Sequence, residues 1–322
     1  MADTNSEFKH QPVMLDEIVE VFATVPAGTL VDGTVGGGGH AFALLERHDH
    51  LRVVGIDRDR AAVEAARARL APFGDRAEVV QQRFDRLAEV VAALQLGPLS
   101  GVLLDLGVSS PQLDWADRGF SHRRDAPLDM RMDRRQPLTA AHVVNDYAEG
   151  DLIRVLRRNA DESHAPRIVR AIAASRPIHT TAELAEVVRD AIPAPARRRG
   201  GHPAARTFQA IRIEVNGELE MLPRAVDAAI AATGPRGRIA VLSYHSGEDR
   251  IVKDRFRQAE RGGCTCPPKL PCGCGAVASA KLVFRGSHTP SGAELAANPR
   301  CASARLRVVE KLTLEPTAGR TP

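Results

Sequence analysis

The sequence has few cysteines and no long apolar run, and both absences exclude classes of protein. Its five cysteines among 322 residues are too few for a disulfide scaffold. No apolar run reaches the roughly 18 residues of a membrane-spanning helix, and the polar start MADTNSEFKH lacks the apolar core of a secretory signal. We therefore expect a cytoplasmic protein. The length predicts one large domain or two, and 43% apolar with 26% charged residues excludes wholesale disorder.

Lysine is also scarce, and one internal segment has none. Residues 116–206 hold 17 arginines and 12 acidic residues, so they carry +5 in a chain whose net charge is +4. A net charge this small does not by itself indicate a nucleic-acid partner. The concentration of positive charge in one segment is the more informative observation.

Short β-branched runs alternate with helical stretches over residues 28–108. This alternation is typical of βαβ units, whose right-handed crossovers build a doubly wound parallel sheet. The predicted strands are 29–32, 52–57, 78–81 and 101–106, with helices near 39–48, 59–71 and 85–95.

The pattern changes after the fourth strand and resumes about a hundred residues later. Residues 109–136 are polar and without clear periodicity, and 139–192 is predicted to be helical, with Pro166 interrupting a helix. Further elements are predicted at 208–232 (helix), 237–243 (strand), 248–261 (helix), and near 281–285 and 304–312 (strands). We expect a helical domain over 116–206, inserted into a discontinuous α/β domain made of 1–115 and 207–322.

The strongest local signal is the run DGTVGGGGH at residues 32–40, directly after the first predicted strand. Consecutive glycines let the backbone turn sharply and approach a ligand, and the next helix offers free N–H groups. A P-loop is excluded because no Gly-Lys-Ser/Thr follows, while Gly36-x-Gly38-x-x-Ala41 fits the dinucleotide fingerprint. The alternative is a mobile glycine loop that holds no ligand.

Three acidic residues lie at predicted strand ends. Asp57, 21 residues after Gly36, can accept both hydroxyls of a ribose, which suits either NAD or S-adenosylmethionine. Asp32, just before the glycines, can meet a cationic ligand, and Asp105 brings a further acid to the ligand edge of the sheet. These two acids favour the methyl donor. Alternatively, any one of the three acids could only cap the backbone of the loop that follows its strand.

Seven separated blocks closely resemble the RsmH (MraW) family, over about residues 10–312. They are HQPVML at 10–15, DGTVGGGGH at 32–40, GIDRD at 55–59, LLDLGVSSPQLD at 103–114, RGFSHRRDAPLDMRMD at 118–133, HPAARTFQAIRIEVNGELE at 202–220 and SYHSGEDRIVK at 243–253. The resemblance implies a Rossmann-like, S-adenosylmethionine-dependent methyltransferase fold. It also implies methylation of the N4 amine of a cytosine in the decoding centre of 16S rRNA. The implied partner is that RNA within the 30S subunit, and neither DNA nor a membrane.

The same resemblance implies roles for individual residues. Gly38, Gly39 and His40 would contact the amino-acid part of the cofactor, and Asp57 its ribose. Phe84 would line the adenine pocket, and Asp105 and Gln112 would close the site, with Asp105 positioning the amine. From the residues alone, Phe84 reads equally as a core aromatic, and His40 as a surface residue at a helix N-terminus.

Three segments are predicted to meet the RNA. Residues 118–135 carry six arginines, with Phe120 available to stack on a base. Residues 197–206 carry Arg197, Arg198, Arg199 and Arg206, and Tyr244-His245-Ser246 ends a strand on the cofactor edge. The alternatives are an internally paired loop at 118–135 and a core or capping role for His245.

Four cysteines form a separate cluster, Cys264-x-Cys266 and Cys272-x-Cys274. In a reducing compartment four thiolates could bind a structural Zn²⁺ tetrahedrally; the alternative is a loop with reduced thiols. Cys301 stands alone and is expected to be inert.

Two rival functions stay open on the residues alone. One is an NAD-dependent dehydrogenase, which would bind NAD and not S-adenosylmethionine. The other is a non-catalytic RNA-binding assembly factor, which would transfer no methyl group to small subunits.

Overall fold

The computed structural model describes residues 12–108, 118–197, 202–267 and 273–313. The chain divides into two compact units, an α/β unit of residues 1–107 with 221–322 and a helical unit of residues 108–220. None of the helices in the described ranges is long and apolar enough to cross a membrane.

The described strands are, in chain order, β1 Gly28–Asp32, β2 Leu51–Asp57, β3 Ala77–Gln81, β4 Leu99–Asp105, β5 Thr233–Ser243, β6 Ala280–Leu282 and β7 Arg305–Lys311. The described α-helices are α1 Leu15–Phe22, α2 Gly39–Arg47, α3 Arg60–Leu70, α4 Leu87–Ala93, α5 Ala140–Asp146, α6 Glu149–Ala160, α7 Ala165–Ser175, α8 Thr181–Ala191, α9 Ala194–Arg197, α10 Ala205–Asn216, α11 Glu218–Ala232, α12 Ser246–Arg261 and α13 Gly292–Ala297.

The strands of the α/β unit form one sheet in the order β3-β2-β1-β4-β5-β7-β6. The first five are parallel, and β7 runs antiparallel to both of its neighbours. This is the doubly wound, Rossmann-like arrangement that the sequence predicts, and the predicted fold class is confirmed. The strand order reverses between β1 and β4, and ligands of open α/β sheets bind at such a reversal.

Helices cover both faces of this sheet. Phe22 and Leu44, from α1 and α2, belong to the core on one face, and Leu87, Val226 and Phe256, from α4, α11 and α12, to the core on the other. Because both faces are covered, consecutive residues along β4 are buried, as expected for a parallel sheet.

The helical unit has its own apolar core, built mainly by α5 to α8 and α10. The predicted helical stretch over 139–192 is four separate helices, α5 to α8. The helical stretch does break just before Pro166, between Ala160 and Ala165. Pro166 itself lies in the first turn of α7, where its missing N–H costs nothing, so the prediction that it interrupts a helix is wrong. The helix α8 begins at the capping box formed by Thr180 and Glu183.

The unit boundaries differ from the expected domain limits. The first falls at 107/108 and the second at 220/221, whereas the sequence suggested 115/116 and 206/207. The second is later because α10 belongs to the helical unit. Its residues Phe208, Ile211 and Val215 are part of that unit's apolar core.

Candidate active site

Three carboxyl groups end three neighbouring strands of the α/β unit. Asp32 is the last residue of β1, Asp57 of β2 and Asp105 of β4. Parallel strands place their carboxyl ends at one edge of the sheet, so the three acids share the edge on which the strand order reverses. The predicted placement of these acids is confirmed, and we call them the edge acids.

The glycine run after β1 is packed on one side and open on the other. Gly38 has φ 78°, and a Cβ there would lie 3.4 Å from Ala66 Cα in α3, while a Cβ on Gly39 would lie 2.5 Å from Pro12. Gly36 has φ 50°, yet a Cβ there would meet nothing closer than Thr34 O at 3.9 Å. The turn at Gly36 therefore borders open space in which a ligand has room to lie.

Asp57 fixes this turn. Its Oδ2 accepts a hydrogen bond from the Gly36 N–H at 3.0 Å, and its Oδ1 accepts from the Asp59 N–H at 2.8 Å. Burial raises the pKa of Asp57 to about 6, although the two N–H groups act in the opposite direction. A carboxylate offers about four acceptor positions, so two remain for a ligand such as a ribose diol.

Asp32 is the most deeply buried of the edge acids, with 2% exposure. Its Oδ1 accepts from the Thr34 N–H at 3.2 Å. Burial raises the pKa of Asp32 to about 8, and the charges of Asp105 and Asp57 raise it further. At neutral pH the Asp32 carboxyl is therefore largely protonated, and an added positive charge nearby would favour its ionisation.

Asp105 is held from several directions. Its backbone N–H donates to Thr34 Oγ1 at 2.6 Å, and its Oδ1 accepts from the Tyr244 hydroxyl at 2.7 Å. Its Oδ2 lies 3.6 Å from His40 Nδ1, and the side chain is 23% exposed. The carboxylate is thus oriented by the protein while part of it stays open to a substrate.

His40 is not the surface residue that the alternative interpretation expected. It is buried near the start of α2, and its Nε2 lies 2.9 Å from the carbonyl oxygen of Val13. A carbonyl can only accept, so Nε2 carries a proton and Nδ1 faces Asp105. The surface interpretation is wrong because Pro12 and Val13 lie against this end of α2.

Tyr244 is the contact that sequence reasoning missed, since it was considered only for RNA binding. It follows β5 directly, and burial together with the nearby Asp105 raises its pKa well above the usual value of 10. Tyr244 therefore stays a phenol and donates to Asp105 across the physiological pH range. Its adjacency to Asp105 is a consequence of β4 pairing with β5, and 139 residues separate the two in sequence.

Phe84 begins the short 3₁₀ turn after β3 and packs partly buried against the core. A Cβ on Gly33 would lie 3.7 Å from Phe84 Cβ, so the aromatic ring belongs to the same edge as the glycine run. Its adenine-binding role stays a prediction. Gln112 lies outside the described residues.

The donor and acceptor groups at this edge fit S-adenosylmethionine. Gly36 borders open space, Asp57 keeps acceptor capacity for two hydroxyls, and the positive charge of a sulfonium would favour ionisation of the buried carboxyl groups. A dinucleotide would also use the first two features, but it has no sulfonium to match the acids.

Three of the six arginines of the charged loop, residues 118–135 of the helical unit, are engaged within the loop. Arg118 is 5% exposed and donates to the carbonyls of Arg131 and Met132. Arg131 pairs with Asp129 at 2.8 Å and Arg135 with Asp133 at 2.8 Å. The internally paired alternative accounts for these three arginines.

Phe120 is buried, with 6% exposure, in the core of the helical unit. The prediction that its ring is available to stack on a base is therefore wrong. Ala126, Leu128, Met130 and Met132 are buried as well, and their spacing of two is the periodicity that the sequence reasoning overlooked. In this stretch, charged residues alternate in sequence with residues of the apolar core.

Two further RNA candidates have structural roles. Arg197 donates to the carbonyls of Ile192 and Asp190, and His245 caps α12 by accepting from the N–H groups of Gly247 and Glu248. Arg123 and Arg206 are exposed and stay candidates for RNA contact. Arg198 and Arg199 lie outside the described residues.

Comparison with known proteins gives one family across the chain. A profile of the MraW methylase family matches residues 7–312. A protein of Symbiobacterium thermophilum named "Ribosomal RNA small subunit methyltransferase H" is 52% identical over 310 residues, covering 95% of this chain and 97% of its own. The protein of that name from Thermobifida fusca is 50% identical over 314 residues, covering 95% and 94%. A solved rRNA methylase of Streptococcus thermophilus has 11% identity and a TM-score of 0.40, covering 93% and 94%.

Proposed function

The chain belongs to the MraW methylase family, and from that premise we propose that it methylates the N4 amine of a cytosine in the decoding centre of 16S rRNA. It is an S-adenosylmethionine-dependent methyltransferase of small-subunit ribosomal RNA, and the relatives are small-subunit ribosomal RNA methyltransferases by name. The position of the methylated atom and the assembled 30S subunit in the cytoplasm as its setting are the parts proposed. Family membership removes the NAD-dependent dehydrogenase and the non-catalytic assembly factor as alternatives.

The cofactor would be held by the glycine run and by Asp57. Gly38, Gly39 and the start of α2 would receive its amino-acid part, and the free acceptor positions of Asp57 its ribose. S-adenosylmethionine supplies an electrophilic methyl group when bound. The positive charge of the cofactor would favour ionisation of Asp32, the most deeply buried of the edge acids.

The main support for the proposal is that Asp105 is oriented by hydrogen bonds while its side chain stays partly exposed. The lone pair of a cytosine amine is delocalised into the ring, so the amine is a poor nucleophile. An acceptor on its N–H localises the pair and relieves the developing positive charge. Asp105 is such an acceptor: the Tyr244 hydroxyl donates to its carboxylate, its backbone N–H donates to Thr34 Oγ1, and the side chain is partly exposed. Orientation of this kind supplies much of a transfer rate, so we assign Asp105 to positioning the amine.

The helical unit would recognise the RNA. Its charge is positive, and Arg123 and Arg206 are exposed, as expected for contacts to phosphates. The arginines of the charged loop that pair with its own acids or carbonyls are assigned to holding the loop instead.

The direct test is transfer of labelled methyl from S-adenosylmethionine to small subunits taken from cells that lack the protein. We expect one N4-methylcytidine per 16S rRNA, located by mass analysis of nuclease fragments. Methyl on another atom, or on the large-subunit RNA, would contradict the proposal. Asp105→Asn keeps the size of the side chain and removes its charge, and we expect at least tenfold slower transfer with cofactor affinity within about twofold.

A further inference from the structure

Three cysteine side chains of the α/β unit converge between α12 and β6. The Sγ atoms of Cys264, Cys266 and Cys274 all lie within 4.8 Å of one another. Cys264 and Cys266 are half-buried and Cys274 is exposed. These residues take no part in the site at the sheet edge, and the methyl-transfer chemistry does not use them.

The backbone brings the two halves of this segment together. The helix α12 ends at Arg261 and is followed by its C-cap Gly262, which has φ 62°, and a Cβ there would lie 2.3 Å from the carbonyl oxygen of Val277. The Ser279 N–H donates to the Ala259 carbonyl at 2.9 Å. The chain that returns after Cys274 thus lies against the end of the helix from which Cys264 departs, so the thiols face one another because the fold closes the loop.

Three thiolates this close together can bind a single soft metal cation. Zn²⁺ binds cysteine sulfur at about 2.3 Å in a tetrahedral arrangement, which separates the sulfurs by about 3.8 Å. The sulfur atoms lie at most 4.8 Å apart, so they need to move together by only about 1 Å to bind one Zn²⁺ ion. Mg²⁺ and Ca²⁺ prefer oxygen ligands, and a cluster of several irons needs its thiolates farther apart than a single ion does.

We propose that Cys264, Cys266 and Cys274 bind one Zn²⁺ ion. The three thiols lose their protons on binding, as metal coordination requires. Cys272 is the remaining cysteine of the sequence cluster and lies outside the described residues.

The role of this ion is structural. The helix α12 has 16 residues and is therefore about 24 Å long at 1.5 Å per residue. Tyr244 and Asp105 lie near its first turn and the cysteines beyond its last turn. The ion ties the end of α12 to the segment that leads into the short edge strand β6.

Metal analysis of the full-length protein tests the proposal. Protein purified under a phosphine reductant should contain about one zinc per chain by mass spectrometry. The double variant Cys264→Ser with Cys266→Ser should contain less than a tenth of that. Cys301→Ala is the matched control, because Cys301 is buried elsewhere in the same unit, and it should keep its full equivalent of zinc.

A second measurement uses wild-type protein alone and so does not depend on how the variants fold. Metal-free protein titrated with Co²⁺ should develop sulfur-to-cobalt charge-transfer absorption that saturates at one equivalent and is abolished by Zn²⁺. Zinc-free wild-type protein that shows no such absorption would overturn the proposal. An undiminished zinc content in the double variant, or the visible absorption of an iron–sulfur cluster in the wild type, would do so as well.

Discussion

The edge acids and the charged loop are both rich in charge, yet their charges are satisfied in different ways. In the charged loop, Arg118 donates to two backbone carbonyls, and Arg131 and Arg135 pair with acids two residues away. At the sheet edge, burial raises the pKa of Asp32 and of Asp57, and the neighbouring carboxylate charges raise that of Asp32 further. Within the described ranges, neither Asp32 nor Asp57 forms an ion pair with an arginine or lysine.

This difference separates a structural from a functional use of charge. A fold that pairs each charge with a neighbour uses it to hold a loop. A fold that buries carboxyl groups makes their ionised forms costly, and a cationic ligand can relieve that cost.

The largest effect concerns Asp32. Its folded pKa of about 8 lies above its unfolded value, so the folded state binds the extra proton at intermediate pH. The free energy of unfolding of the unliganded protein should therefore fall as pH rises from 6 to 8, by up to about 1.4 kcal/mol per pH unit. Denaturant titrations at several pH values measure this slope. Asp32→Asn should flatten it, and an equal slope in the variant would show that Asp32 does not titrate there.

Asp57→Ala should weaken binding of S-adenosylmethionine by about 1.5–3 kcal/mol, because charge-assisted hydrogen bonds to the ribose are lost. Calorimetry measures this. Asp75→Ala removes an exposed acid of the same unit and should leave the affinity unchanged. Equal affinities of the Asp57 variant and the wild type would remove Asp57 from the cofactor site.

Arg118→Ala should lower the free energy of unfolding by about 1–3 kcal/mol, because the carbonyls of Arg131 and Met132 lose their donor. Arg123→Ala, at an exposed position of the same loop, should change it by less than about 0.5 kcal/mol and weaken RNA binding instead. If Arg118→Ala left stability intact and weakened RNA binding, the structural assignment of the charged loop would be wrong.

Tyr244→Phe should slow methyl transfer about fivefold, equivalent to about 1 kcal/mol for one hydrogen bond, with cofactor affinity unchanged. The protein has two tyrosines, and the other supplies the control. Tyr147 donates to Glu214 in the helical unit, so Tyr147→Phe should leave the rate constant at its wild-type value. A loss of cofactor affinity in Tyr244→Phe would assign the hydroxyl to binding rather than to positioning Asp105.

Local patterns predicted the strands and the glycine run well. A buried parallel strand is a short β-branched run between turn residues, and β1, β2, β3 and β4 all have this form. The strand ends then follow from the pattern, which is why the placement of the edge acids could be predicted.

The neighbours of Asp105 could not be predicted, because they come from distant parts of the chain. Thr34, His40 and Tyr244 reach it through sheet order and helix packing, and no local pattern encodes either. Phe120 was misjudged for a related reason. Because charged residues alternate with Leu128, Met130 and Met132, the segment was predicted to be a solvated loop. The apolar residues at every second position nevertheless indicate a buried face.

The discontinuity of the α/β unit has a consequence for synthesis. The glycine run, Asp57 and Asp105 all leave the ribosome before residue 108, but β5, which pairs with β4, follows the whole helical unit. Until it arrives, β4 presents an open edge of unpaired backbone groups, a state prone to association with other chains. The nascent enzyme thus has its glycine run and Asp57 before Tyr244 is available to orient Asp105. The helical unit has time to fold before β5 completes the centre of the sheet.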